Sequence, residues 1–282
     1  MIDQMRHFDI HRILVAVDTS TENRETLEAA ADMAALLQAE LHGLFIEDPQ
    51  LFQLEELSSS RKIDLPQGFA STIERGSMAR ELKALANRTR EIIAHASEQR
   101  RVDWSFQIVR GKVQAELATA AGPGDLIVAE SSGRTIRSGL RMRSTTTRAC
   151  KQIERPVLFL QRGPRPAGSI VAVYDESAEA DAVLDAALRL YGGPGALLTI
   201  LLPAADREAA DQLRQRAAER LDELGIEPHF RRVSLESAKW IVQAVEDVHG
   251  DILIQSAHSP PLNNGDAQTL LDELSCPILL LR

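Results

Sequence analysis

Short apolar runs alternate with amphipathic stretches along the whole chain. Runs at 12–17, 40–46, 104–109, 125–129 and 156–160 in the first half, and at 169–174, 196–202, 228–233, 251–255 and 277–281 in the second, are apolar on consecutive residues. A run that is apolar on both faces fits a strand buried in a parallel sheet. Helical periodicity fills the gaps, notably at 21–38, 76–100, 112–121, 178–191, 205–224 and 236–248. Strand–helix alternation predicts an α/β fold, a doubly wound parallel sheet covered on both faces and joined by right-handed crossovers.

The two halves repeat one plan. Residues 12–18 read Arg-Ile-Leu-Val-Ala-Val-Asp and residues 169–175 read Ser-Ile-Val-Ala-Val-Tyr-Asp. An offset of 157 pairs Ile13 with Ile170, Asp18 with Asp175 and Leu27 with Leu184. At offset 126, Asp125-Leu126-Ile127-Val128 pairs with Asp251-Ile252-Leu253-Ile254, and at offset 121, Arg155-Pro156-Val157-Leu158 pairs with Cys276-Pro277-Ile278-Leu279. The falling offset makes the second copy shorter by 31 residues between its first helix and fourth strand, and by 5 more after that strand. Residues 161–168 are a Pro/Gly-rich linker, so the expected domains are 1–162 and 169–282. Residues 47–75, with Leu51, Phe52, Leu54 and Leu57, are an insertion of the first copy alone. Such an apolar cluster packs on its own domain, or serves as a lid or partner surface.

In an open parallel sheet a ligand sits beyond the C-terminal ends of the strands, where the strand order reverses. Strand one of the first copy ends at Asp18, and strand four ends at Glu130, followed by a loop with Gly133, Gly139 and Ser144. These ends form the candidate pocket. The pattern Val-Ala-Val-Asp-x-Ser, then Asp-Leu-Ile-Val, a glycine-containing loop, a helix and Pro-Val-Leu resembles the universal stress protein family, twice over nearly the whole chain. That resemblance implies two tandem domains with five-stranded sheets of order 3-2-1-4-5 and a stress-response role; the cytoplasmic location expected for the chain comes instead from its few cysteines and the absence of a signal-like or membrane-spanning run. ATP-binding members carry Gly-x2-Gly-x9-Gly-Ser/Thr after strand four, where glycines let backbone N–H groups approach phosphate.

The family's motif positions fall here on Glu130, Gly133, Arg143 and Ser144. The middle glycine and the hydroxyl match, whereas Glu130 and Arg143 replace glycines. The resemblance therefore implies a site of Asp18, Gly133, Arg143 and Ser144 in the first domain, with ATP or another adenine nucleotide bound weakly or not at all, and no catalytic residue. A basic loop with Arg134, Arg137, Arg141, Arg143 and Arg148 holds an anion in a different geometry, lines a domain or dimer interface, or is merely solvated. In the second copy the corresponding stretch, Ser256-Ala257-His258-Ser259-Pro260-Pro261, has no phosphate cradle. Asp175 there reads as a turn or cap residue, and a small ligand is expected in the first copy only.

Charge and composition narrow the classes. The formal net charge is −9; basic and acidic residues number 22 each up to residue 163, leaving 10 and 19 for the rest. An acidic second half repels nucleic acid and anionic lipid. No apolar run reaches the roughly 18–20 residues that span a bilayer, and Met1–His11 has no signal-peptide core. Cys150 and Cys276 are the two cysteines, too few for a disulfide framework. No His or Cys pair has metal-ligand spacing, and Trp104 and Trp240 read as packing residues. The expected partners are the nucleotide and an unidentified protein, and the expected state is a monomer or homodimer. Two alternatives stay open: an adenine-nucleotide-binding enzyme of the α-hydrolase-like class, against which the glycine-free stretch after strand one counts, and an electron-transfer flavoprotein-like subunit.

Overall fold

The computed structural model describes residues 8–17, 24–47, 77–130, 134–135, 141–142, 149–150, 152–161, 168–192, 195–222, 225–259 and 267–282. The first copy contributes β1 (Arg12–Val17), α1 (Arg24–Leu37), β2 (Glu40–Glu47), α2 (Ser77–Arg100), β3 (Trp104–Arg110), α3 (Val113–Ala120), β4 (Asp125–Glu130), a two-residue pair β5 (Arg134–Thr135) and β6 (Arg141–Met142), and β7 (Val157–Leu160). The second contributes β8 (Ser169–Val173), α4 (Ala180–Leu190), β9 (Leu197–Pro203), α5 (Arg207–Asp222), β10 (His229–Val233), α6 (Lys239–Asp247), β11 (Ile252–Ser256), α7 (Ala267–Glu273) and β12 (Ile278–Leu281). All ten expected strands form, each within one residue of its expected ends.

The local reasons are plain. Every residue of β4, β7, β11 and β12 is buried, which is why these runs show no polar alternation. On α1, Leu27, Ala30, Ala31, Ala34 and Leu37 are buried, the spacing of one helical face. The sheet separates two apolar layers. One joins α1, α2, α4 and α5 to the residues of β1 that include Ile13 and Val15. The other joins α3, α6 and α7 to Leu14 and Ala16 on the opposite face.

The strand order is 3-2-1-4-5 in both copies, and the two sheets are not separate. They merge into one ten-stranded sheet, β10-β9-β8-β11-β12-β7-β4-β1-β2-β3. Every pairing within a copy's five strands is parallel. The join is antiparallel, β12 against β7, with Leu279 opposite Leu158. Those two leucines correspond at the offset of 121, so the pseudo-twofold axis passes between them. The second copy thereby covers an edge that β7 would otherwise present to solvent.

A reciprocal clasp follows the same axis. Gln161 Nε2 donates to the carbonyl of Leu271, 3.3 Å away. Its counterpart Arg282 donates to the carbonyls of Cys150, at 3.0 Å, and of Ile153. Cys150 and Leu271 are themselves counterparts at offset 121, so each copy's last strand reaches the other copy at the matching place.

One expectation needs correction. Trp240 is not a packing residue: it is 51% exposed on α6, beside a hollow of about 510 Å³ that Arg232 and Leu235 also line. Trp104 does pack, partly buried against the first apolar layer. The insertion 47–75, beyond Glu47, and linker residues 162–167 lie outside the described residues. No described helix is long and apolar enough to cross a membrane.

Candidate functional site

The ends of β1 and β4 meet as expected. The two strands pair in register from Arg12 with Asp125 to Val15 with Val128, so Val17 and Glu130 close adjacent strands at one edge. Glu130 is 6% exposed. Beyond it, Arg134 and Thr135 pair antiparallel with Met142 and Arg141, so the long loop after β4 folds back on itself. Asp18, Gly133, Arg143 and Ser144 lie outside the described residues.

The opposite end of these strands is fixed by an ion pair. Arg12 donates to Asp125 through Nε at 2.9 Å and Nη2 at 2.6 Å, and also to the carbonyl of Ala120. Asp125 accepts a third bond from the backbone N–H of Gly122 at 2.6 Å. The carboxylate hydrogen bond raises the Arg12 pKa above its usual value, against burial. A forked guanidinium on a carboxylate, with a backbone donor in addition, satisfies a buried anion.

In the second copy the edge where β8 and β11 end carries a polar cluster. Asp175 is buried, and its Oδ1 accepts the N–H of Ser177 at 2.8 Å. That two-residue return is an Asx turn, as expected for Asp175. Glu179, just before α4, accepts from Ser256 Oγ at 2.8 Å and faces His258 Nδ1 at 3.1 Å. Ser256 Oγ in turn accepts the His258 N–H at 2.9 Å. Burial pushes the Glu179 pKa up, but the bonds from Ser256, its own backbone and His258 outweigh it and hold the carboxyl below its usual range. Glu179 thus spans the gap between the end of β11 and the start of α4 as an anion.

Glu179, Gln255, Ser256 and Ser259 were not singled out as functional residues from the sequence. Gln255 and Ser259 are fully buried, and among the described residues neither amide atom of Gln255 nor the hydroxyl of Ser259 has a hydrogen-bond partner. A signal for them existed: Gln255-Ser256 interrupts the apolar end of strand four, where the first copy has Ala129-Glu130. Among the described residues no group of three His, Cys, Asp or Glu side chains is placed to hold a metal ion. Burial raises the Cys276 thiol to a pKa of about 11, which leaves it protonated and unreactive at neutral pH.

Comparisons with known proteins agree with this architecture. The universal stress protein family model matches residues 9–161. Among solved structures, the fold is similar to a universal stress protein from Archaeoglobus fulgidus, with 17% identity, 98% of this chain and 97% of that one covered, and a TM-score of 0.71. It is also similar to a functionally unknown protein from Pseudomonas aeruginosa, with 18% identity, 99% and 94% covered, and a TM-score of 0.58. No curated protein sequence matches the chain. With a matched segment of more than half its length, this chain belongs to the universal stress protein family.

Proposed function

We propose that the protein is a non-enzymatic regulator of a cytoplasmic stress response, which holds an adenine nucleotide weakly or not at all and acts by changing its contacts with a partner protein. The observation that carries this reading is Glu130. It ends β4 nearly buried, at the first position where nucleotide-binding members of the family place glycine. A carboxylate there repels a triphosphate and removes the close backbone approach that glycine permits. In the second copy the Glu179 carboxylate occupies the corresponding edge, tied to Ser256 and His258, which disfavours an anionic ligand in the same way. Any nucleotide then sits in the first copy, between Asp18 and the loop from Gly133 to Ser144.

Calorimetric titration of ATP tests this. Wild type is expected to bind weakly, and Glu130→Gly combined with Arg143→Gly to bind at least about tenfold more tightly, since each tenfold corresponds to about 1.4 kcal/mol. Tight binding by wild type that the double change weakens would make Arg143 a ligand-holding residue and refute the reading. Asp18→Ala should abolish the binding that remains and Asp175→Ala should leave it unchanged; the reverse would place the site in the second copy.

A further inference from the structure

The internal repeat allows one place in the fold to be compared with its own copy. Arg12 and Asp125 are in register at the start of β1 and β4. In the second copy the positions 157 and 126 residues later hold Ser169 and Asp251, and the register is the same, with Ile170 opposite Ile252 just after them. The carboxylate is kept and the guanidinium is gone. Asp251 is met by the N–H of Ser169 at 2.9 Å, where Asp125 holds a forked guanidinium and a backbone donor. Asp125 is nearly buried, whereas Asp251 stays partly open.

At this place, and beside Asp251, a cavity of about 670 Å³ opens between the two copies. Met33 and Leu36 of α1, Leu158 of β7 and Leu190 of α4 form its apolar wall, and Ser169 and Asp251 line its end. Leu36 is 52% exposed at the rim. Gly192 and Gly195 also line it. Among the described residues that line the cavity none is basic. Its other carboxylate, Asp32, is already paired with Arg100. The volume, the largely apolar lining and the position between two repeats are those of a small-molecule site.

We propose that this cavity binds an organic cation, a small molecule whose apolar body packs between α1 and α4 and whose guanidinium or ammonium head is held by Asp251. The first copy supplies the chemical precedent, because Asp125 receives a guanidinium in the same register. Replacing Arg12 by its serine counterpart removes that internal cation and leaves a carboxylate beside an apolar space. A charged head on a partly desolvated carboxylate is favoured over an uncharged isostere, and a like-charged ligand is rejected.

The test compares 4-phenylbutylguanidine with the uncharged 4-phenylbutylurea, by calorimetry on the full-length chain. The guanidine should bind saturably, with one site, at least about tenfold more tightly than the urea. Asp251→Asn should lower its affinity by at least about tenfold. Ser169→Arg should rebuild the internal pair of the first copy and abolish binding, with a thermal midpoint no lower than wild type; this variant keeps the test decisive if Asp251→Asn fails to fold. Equal binding of guanidine and urea, an Asp251→Asn affinity within twofold of wild type, or no saturable binding of either probe would overturn the proposal. So would binding that emerges only when Arg162 and Arg165, which stand shortly before Gly168 in the chain, are both changed to Ala, because the cation would then be the protein's own. None of these outcomes depends on ATP binding in the first copy, so this proposal and the functional reading stand or fall separately.

Discussion

At the scale of single residues, position decides which protonation state the fold prefers. His42 lies on β2 with Nδ1 at 2.8 Å from Ser105 Oγ, and the Ser105 hydroxyl proton is directed to Glu40. Nδ1 is therefore the donor, and Nε2 is where a second proton would go. Burial, followed by the nearby charge of Arg12, lowers the His42 pKa below its ordinary value. As pH falls through the ordinary histidine range near about 6.5, the unfolded chain takes up this proton before the folded one does. The His42 contribution is thus present above that range and is lost as the solution becomes more acid. Urea unfolding at pH 7.5 and 5.5 should show a smaller loss of stability on acidification in His42→Gln than in wild type. Equal losses in the two proteins would remove His42 from the account.

At the scale of elements, the clasp across the axis holds the two last strands together. Arg282 is largely removed from water, and burial lowers its pKa, yet it donates to two carbonyls of the other copy. Arg282→Ala should cost about 2 kcal/mol, in keeping with charged hydrogen bonds to groups left buried. Amide exchange should quicken in β7 and β12 more than in β1 or β8. Unchanged exchange at the join, despite a normal fold, would show that strand pairing alone secures it. The expected strands were legible because each is a short apolar run bounded by helical periodicity, and both faces of the sheet are covered. The two-residue pair β5 and β6 was not legible, since neither Arg134-Thr135 nor Arg141-Met142 has an apolar pattern; their pairing depends on the loop folding back.

At the scale of the whole molecule, the second copy does for the first what a second subunit would do. Val157, Leu158, Phe159 and Leu160 are all buried because β12 lies beside them and helices cover both faces. A fragment of residues 1–162 would expose that edge, and unpaired apolar edge strands recruit partners. The expected result in light scattering is a fragment dimer, formed by β7 against a second β7 about the same Leu158 position, while the full chain does not associate through this edge. A fragment that stays monomeric up to high concentration would show that the join is dispensable. The candidate nucleotide site is read from motif positions outside the described residues. The polar cluster around Glu179 and the cavity beside Asp251 required residues distant in sequence to be brought together.

The amino-acid sequence by itself determined the element order, the two copies, the apolar layers and the family, because hydrophobic periodicity and strand-end motifs are local properties that survive without knowing what packs on what. It also carried the exchange of Arg12 in the first copy for Ser169 at the matching position of the second. Only the tertiary structure decided that the two sheets become one, that Trp240 faces solvent, and that Ser256 and His258 converge on a glutamate 77 and 79 residues away. The physical reason is that edge pairing, exposure and side-chain convergence are set by which surfaces meet across the pseudo-twofold axis and at the strand ends, and no single run of residues encodes a meeting between two others.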